Sequence, residues 1–233
     1  MKKLIASVAG LAVLVAGAAE ARAIYTYEMD PATPRVGNAG TITALSAQYD
    51  SLDQLGFSAT LALTAAKPVA DGGWFVFSPG GLPTSSDGEL AIFYMDFAGG
   101  DLYAYRYNGL SDSASWKDPS RYIATYEDVL SVSEEGGYLT VSFADLDVSG
   151  VQSAVGGEWT GASFAEAFGG WIHFTALDEF AAENGVITAF DTSWQSYLDV
   201  ADRPTAVPEP AGLAALGLMG VLGAAAWRRR AKA

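Results

Sequence analysis

Chemistry in this chain would have to be built from few residue types. There is one histidine, His173, and no cysteine. Thiolate nucleophiles, disulfides and thiolate metal sites are therefore excluded, and one imidazole falls short of the two or three that a histidine-based zinc site uses. His173 sits in Trp171-Ile172-His173-Phe174, an apolar strand-like run, and reads as a core or half-buried residue rather than a general base. No G-x-S-x-G elbow occurs to present a serine nucleophile. Paired carboxylates are the remaining route to hydrolysis. Asp145-Leu146-Asp147 has the spacing that puts two acids on one strand face, but it ends a strand and runs into Val-Ser-Gly. No E-x-D-x-x-E arrangement supports it. A sandwich-fold surface glycosidase is the weaker expectation, and a non-enzymatic role the stronger.

If a cation is held, it would be calcium, which takes oxygen ligands from carboxylates and loop carbonyls. Asp71, Asp87, Glu89, Asp96 and Asp101 offer these beside glycine-rich turns. None falls into an EF-hand or RTX spacing, and acidic loops in water are the plainer reading. Sugar rings would stack on exposed aromatics. Trp116 and Trp159, in polar surroundings, are the candidates for exposure, whereas Tyr103, Tyr105 and Tyr107 share one face of a strand and could equally belong to a buried sheet face.

The elements that must position these residues are strands. Runs of β-branched and aromatic residues alternate in period two over residues 24–29, 40–49, 57–63 and 101–107. Residues 73–77 form a continuous apolar run of the kind that suits a central strand. Glycine-rich turns close hairpins near Gly99-Gly100 and Glu134-Glu135-Gly136-Gly137, and further strands are expected at 170–175 and 186–190. Helical signals are weak: residues 162–168 and 178–184 could each make a turn or two, the second ending at an Asn184-Gly185 cap. This is the pattern of an all-β, antiparallel, jelly-roll-like β-sandwich, with a closed barrel as the alternative. Between Ile24 and Thr205 there are 6 basic and 25 acidic residues, a net charge of −19. Such a surface repels nucleic acid and anionic lipid, both of which are bound through Lys and Arg.

The two ends differ in kind from the body. Residues 1–23 carry Lys2 and Lys3, an apolar stretch and Ala21-Arg22-Ala23, the plan of a signal peptide cut after Ala23. Residues 24–202 would be the ectodomain and 203–206 a linker. Then come Pro208-Glu209-Pro210, an apolar run over 211–227 long enough as a helix to reach about 25 Å, and the basic stop Arg228, Arg229 and Arg230.

With those three parts in order, residues 207–233 resemble a PEP-CTERM sorting segment. The resemblance implies a Gram-negative export route in which an exosortase recognises Pro208, Glu209 and Pro210 while the tail spans the inner membrane transiently. The tail is removed and the body passes to the cell surface or extracellular polysaccharide, with a structural, adhesive or polysaccharide-binding role in biofilm. The stretch from Gly72-Gly73-Trp74 to Asn108-Gly109 also resembles uncharacterised ectodomains joined to such tails, a likeness that brings no activity.

Overall fold

Alternating patterns become thirteen strands among the described residues, which in this computed structural model are 23–28, 35–36, 40–50, 53–63, 70–79, 91–108, 114–155, 168–202 and 205–208. All lie within Arg22–Glu209. The strands are β1 (Ala23–Glu28), β2 (Arg35–Val36), β3 (Gly40–Asp50), β4 (Gln54–Leu63), β5 (Gly72–Pro79), β6 (Ala91–Asp96), β7 (Asp101–Arg106), β8 (Tyr122–Tyr126), β9 (Ser131–Glu135), β10 (Tyr138–Asp147), β11 (Phe168–Glu183), β12 (Val186–Asp202) and β13 (Thr205–Pro208). They form two antiparallel sheets. The seven-stranded one runs β13-β1-β3-β4-β10-β9, with β2 on β3, and the six-stranded one runs β12-β11-β5-β6-β7-β8. Among the described residues no helix is long and apolar enough to cross a membrane. The expected signal peptide, apart from Ala23, and the apolar run 211–227 lie outside the described residues.

The sandwich core follows from strand alternation. Leu45, Ala47 and Tyr49 of β3, Phe57, Ala59 and Leu61 of β4, and Leu139, Val141 and Phe143 of β10 are buried together. Phe75 of β5, Phe93 and Met95 of β6, Leu102 and Ala104 of β7, and Ile172 and Phe174 of β11 join the same cluster from the other sheet. The Phe75 ring stacks on Phe57 at 4.7 Å and on Phe93 at 4.7 Å, tying the sheets face to face. Offset ring stacks of this kind add about 0.5–1.5 kcal/mol each beyond area burial.

Tyr103 and Tyr105 lie on one face of β7 and Leu102 and Ala104 on the other, as the alternation requires. The tyrosine face is buried as well: Trp74, Val76, Ile92, Tyr94, Tyr103, Tyr105 and Tyr107 form a second cluster with Ile187 and Phe190 of β12. The cover is the far half of the β11–β12 hairpin, which bends over its own sheet. Phe190 meets Trp74 at 5.9 Å and Tyr94 at 5.1 Å, and Phe180 meets Tyr103 at 5.6 Å. The Ile187 N–H donates to the Tyr105 hydroxyl at 2.8 Å, and the Thr125 hydroxyl of β8 donates to the Gly185 carbonyl at the hairpin tip. One hairpin therefore crosses from β5 to β8.

Residues 178–184, expected as a short helix, are instead the outer half of β11 and its turn. Asn184 and Gly185 both have positive φ, 52° and 77°. That is the type I′ hairpin turn, which needs the same left-handed residues as a helix cap. The bend that lets the hairpin leave the sheet is a run of irregularities between Ala176 and Glu179. There the Leu177 N–H donates to Asp71 Oδ1 at 2.5 Å, while the Asp71 N–H donates to the Thr175 carbonyl at 3.2 Å. A side chain at Gly72 would meet Leu177 at 2.5 Å, and one at Gly73 would run into the His173 carbonyl.

Gly73→Ala is therefore expected to cost about 2 kcal/mol by overpacking, lowering Tm by roughly 4–8 °C in thermal denaturation; an unchanged Tm contradicts the close approach. The buried tyrosines add a pH test. Burial pushes the hydroxyls of Tyr49, Tyr94, Tyr103 and Tyr105 up, and that of Tyr126 to about 12. Folded values above the unfolded one, near 10, mean that this stabilisation is complete below about pH 10 and is lost as pH rises through the folded values. In an alkaline titration the last tyrosinate absorbance should appear together with the loss of circular dichroism. Ionisation of all tyrosines near pH 10 with the fold intact would refute the burial.

Candidate functional site

Among the described residues no such cover lies over the outer face of the seven-stranded sheet, and hydroxyls line it. The register places Glu28 of β1 opposite Ser46 of β3, Ser46 opposite Ser58 of β4, Ser58 opposite Ser142 of β10, and Ser142 opposite Ser131 of β9. This is one row across five strands, on the positions that alternate with the core residues. Beside it run Thr26, Gln48 and Gly56, paired in the same way. Further along, the hydroxyls of Thr60 and Thr140 lie 3.1 Å apart.

A groove of about 550 Å³ opens over these rows. Its depth has a local cause. Gly56 offers bare backbone, with nothing closer than 3.6 Å to a Cβ built there. Opposite it, β10 carries a bulge between Phe143 and Leu146, and bulges bend and re-aim a strand. Within the bulge Asp145 is left-handed, at φ 52°. A smaller recess of about 150 Å³ continues the groove past Gln48 and Gly56 to Asp50 and Asp145. The volume of the main groove lies within the range of ligand sites, and its lining sets the hydroxyls and amide of Thr26, Ser46, Gln48, Ser58, Ser131 and Ser142 among apolar residues such as Tyr27 and Val129. Hydroxyls and an amide both donate and accept hydrogen bonds and carboxylates accept them, a set that matches saccharide hydroxyls.

Of the residues singled out by sequence, Asp96 and Asp101 stand opposite each other with Asp71 beside them, and most are occupied in local hydrogen bonds. His173 is buried, its ring stacked on Trp74 at 4.5 Å. Asp71 holds the hairpin bend. Asp96 Oδ1 accepts from the Ala98 N–H at 3.0 Å inside the β6–β7 turn, and Asp101 accepts from the Asp128 N–H at 3.0 Å and from the Tyr103 hydroxyl at 3.2 Å. Among the described residues no group of three or more metal-ligating side chains comes together. Asp87 and Glu89 lie outside the described residues, as do Trp159, Glu209, Pro210, Arg228, Arg229 and Arg230. Trp116 is half-buried against the outer cluster, with the Lys117 ammonium 5.5 Å from its ring centre. Asp147 accepts from the Ser149 N–H at 3.0 Å, which holds its carboxyl below the usual range. It caps the entry to a short helix, α1 (Ser149–Val155), in a stretch expected to be loop.

Sequence reasoning missed the groove residues. Their signal was present: serine, threonine or glutamine recurs at alternate positions of β3 (Ser46, Gln48), β4 (Gln54, Ser58, Thr60), β9 (Ser131, Ser133) and β10 (Thr140, Ser142), interrupted by Gly56. What alternation leaves open is which sheet has its outer face covered. Asp71→Ala should remove the acceptor at the bend and cost about 1–2 kcal/mol, read from urea unfolding, with Asp71→Asn losing less; an Asp71→Ala variant as stable as wild type denies Asp71 that task.

The strand β13 leads from the body into the C-terminal stretch. Residues 206–230 match the PEP-CTERM protein-sorting motif. No curated protein and no solved structure matches the chain. The motif covers the end of the chain and leaves the chemistry of the sandwich to its geometry; it implies that this is an exported protein, sorted by an exosortase to the cell surface or the extracellular space.

Proposed function

We propose that the exported body is a non-enzymatic surface or matrix component that binds extracellular polysaccharide along the outer groove of its seven-stranded sheet. The in-register row from Glu28 through Ser46, Ser58 and Ser142 to Ser131 carries this reading. Hydroxyls repeated at strand spacing suit a polymer that repeats its own hydroxyls, and an open groove admits a chain passing through. Glu28 at one margin and Asp50 and Asp145 near the other oppose uronic acids, so the polymer favoured is neutral or amino-bearing. An adhesive role in biofilm follows from that binding. The runner-up reading, a glycosidase, needs one carboxyl kept protonated beside an ionised one, and Asp147, whose carboxyl the Ser149 N–H holds low, suits only the second part.

Affinity electrophoresis of the mature protein through gels containing neutral, amino-bearing or uronic polysaccharides tests this. Retention is expected in one of the first two, without release of reducing ends. Ser58→Phe and Ser142→Phe, which fill the groove from half-buried outward positions, should weaken retention at least tenfold while Tm stays close to wild type. Retention that survives both substitutions, or occurs only with polyuronates, contradicts the assignment.

A further inference from the structure

β1 and β13 are the outermost pair of the seven-stranded sheet. They run antiparallel, with Ala23 opposite Pro208, Ile24 opposite Val207, Tyr25 opposite Ala206 and Thr26 opposite Thr205. The two places where the sequence leads one to expect processing, after Ala23 and at Pro208-Glu209-Pro210, therefore meet across one strand pair. The residues 205–206, read from sequence as linker, belong to this pair.

Backbone chemistry ends the ladder here from both sides. Pro208 and Pro210 have no N–H. In extended chain, residues two apart present their N–H groups to the same edge, so one edge of Pro208-Glu209-Pro210 has no donor with which to continue a sheet. On the other strand, removal of the leader after Ala23 leaves Ile24 first, opposite Val207, with nothing beyond it to pair with Pro208. A protease takes its substrate as unpaired extended chain, and a strand already zipped into a sheet is withheld from it.

We propose that β1 clamps β13 and thereby sets the boundary of exosortase cleavage. The peptide bond that breaks lies C-terminal to Pro208. Water supplies hydroxyl to the new carboxyl group and a proton to the amine of the departing tail. Thr205–Pro208 stays in the mature protein as the outermost strand. The proposal rests on the exosortase reading of the tail and adds to it a position for the cut and a partner strand that enforces it.

The absence of cysteine makes the clamp directly testable. Neighbouring register pairs alternate between hydrogen-bonded and non-hydrogen-bonded geometry, so one of two adjacent pairs has its Cα atoms about 4.5 Å apart, within reach of a disulfide. Tyr25→Cys with Ala206→Cys, and separately Thr26→Cys with Thr205→Cys, are introduced into the full chain in the exporting host. In at least one variant the exported protein should form the cross-link and lose its tail as fast as wild type. Its mature form should keep both linked peptides, seen by non-reducing peptide mapping. Absence of linkage in both variants overturns the pairing. Accumulation of the oxidised chain with its tail attached, while the reduced chain is cut, overturns the clamp, because cleavage would then need β13 detached. A mature wild-type chain lacking Thr205–Pro208 does the same. A wild-type chain that keeps its tail defeats the exosortase premise instead, and the cross-link still reports separately on the strand pair.

Discussion

A sheet can be buried on both faces only if something crosses the face that the partner sheet leaves open. In this protein the crossing element is part of the sheet itself. β11 pairs with β5 as far as Thr175 opposite Gly72, then breaks register and carries its hairpin back over β5, β6, β7 and β8. The turn of direction depends on Asp71 capping the Leu177 N–H and on Gly72 leaving room for the Leu177 side chain. Trp74, Tyr94, Tyr103 and Tyr105 can all be buried because that bend exists, and the raised tyrosine hydroxyls follow from the burial. The Trp74 indole N–H is buried there and has no hydrogen-bond partner among the described residues.

The contrast between the sheets points to function. One outer face is sealed by aromatic side chains; the other presents serine, threonine and glutamine and dips where Gly56 faces a bulge. A net charge of −19 between Ile24 and Thr205 favours solubility by self-repulsion and turns away acidic polymers and anionic lipid. The two margins of the groove carry the same sign.

Sequence alternation was enough to read the sandwich and the split of β7 into a tyrosine face and an aliphatic face. It was not enough to read the hairpin cover, because Asn184-Gly185 satisfies a helix cap and a type I′ turn with the same left-handed backbone, and nothing local chooses between them. Asp71-Gly72-Gly73 is ambiguous in sequence because carboxylate and glycine are common to metal loops and to bends; the structure gives Asp71 the bend. The groove stayed hidden for a different reason: which outward rows remain open depends on contacts between residues a hundred positions apart. Thr205–Pro208 was read as linker and sorting motif, since a four-residue edge strand gains its stability from β1 rather than from its own composition.

We propose that the sandwich is a finished unit bounded by β1 and β13, with the flanking segments removed on the way to the surface. Intact mass spectrometry of the protein recovered from the cell surface or medium measures this directly. The predicted result is a single polypeptide starting at Ile24 and ending just beyond Pro208. A surface protein that retains Arg228 to Ala233, or one that still begins at Met1, would contradict it.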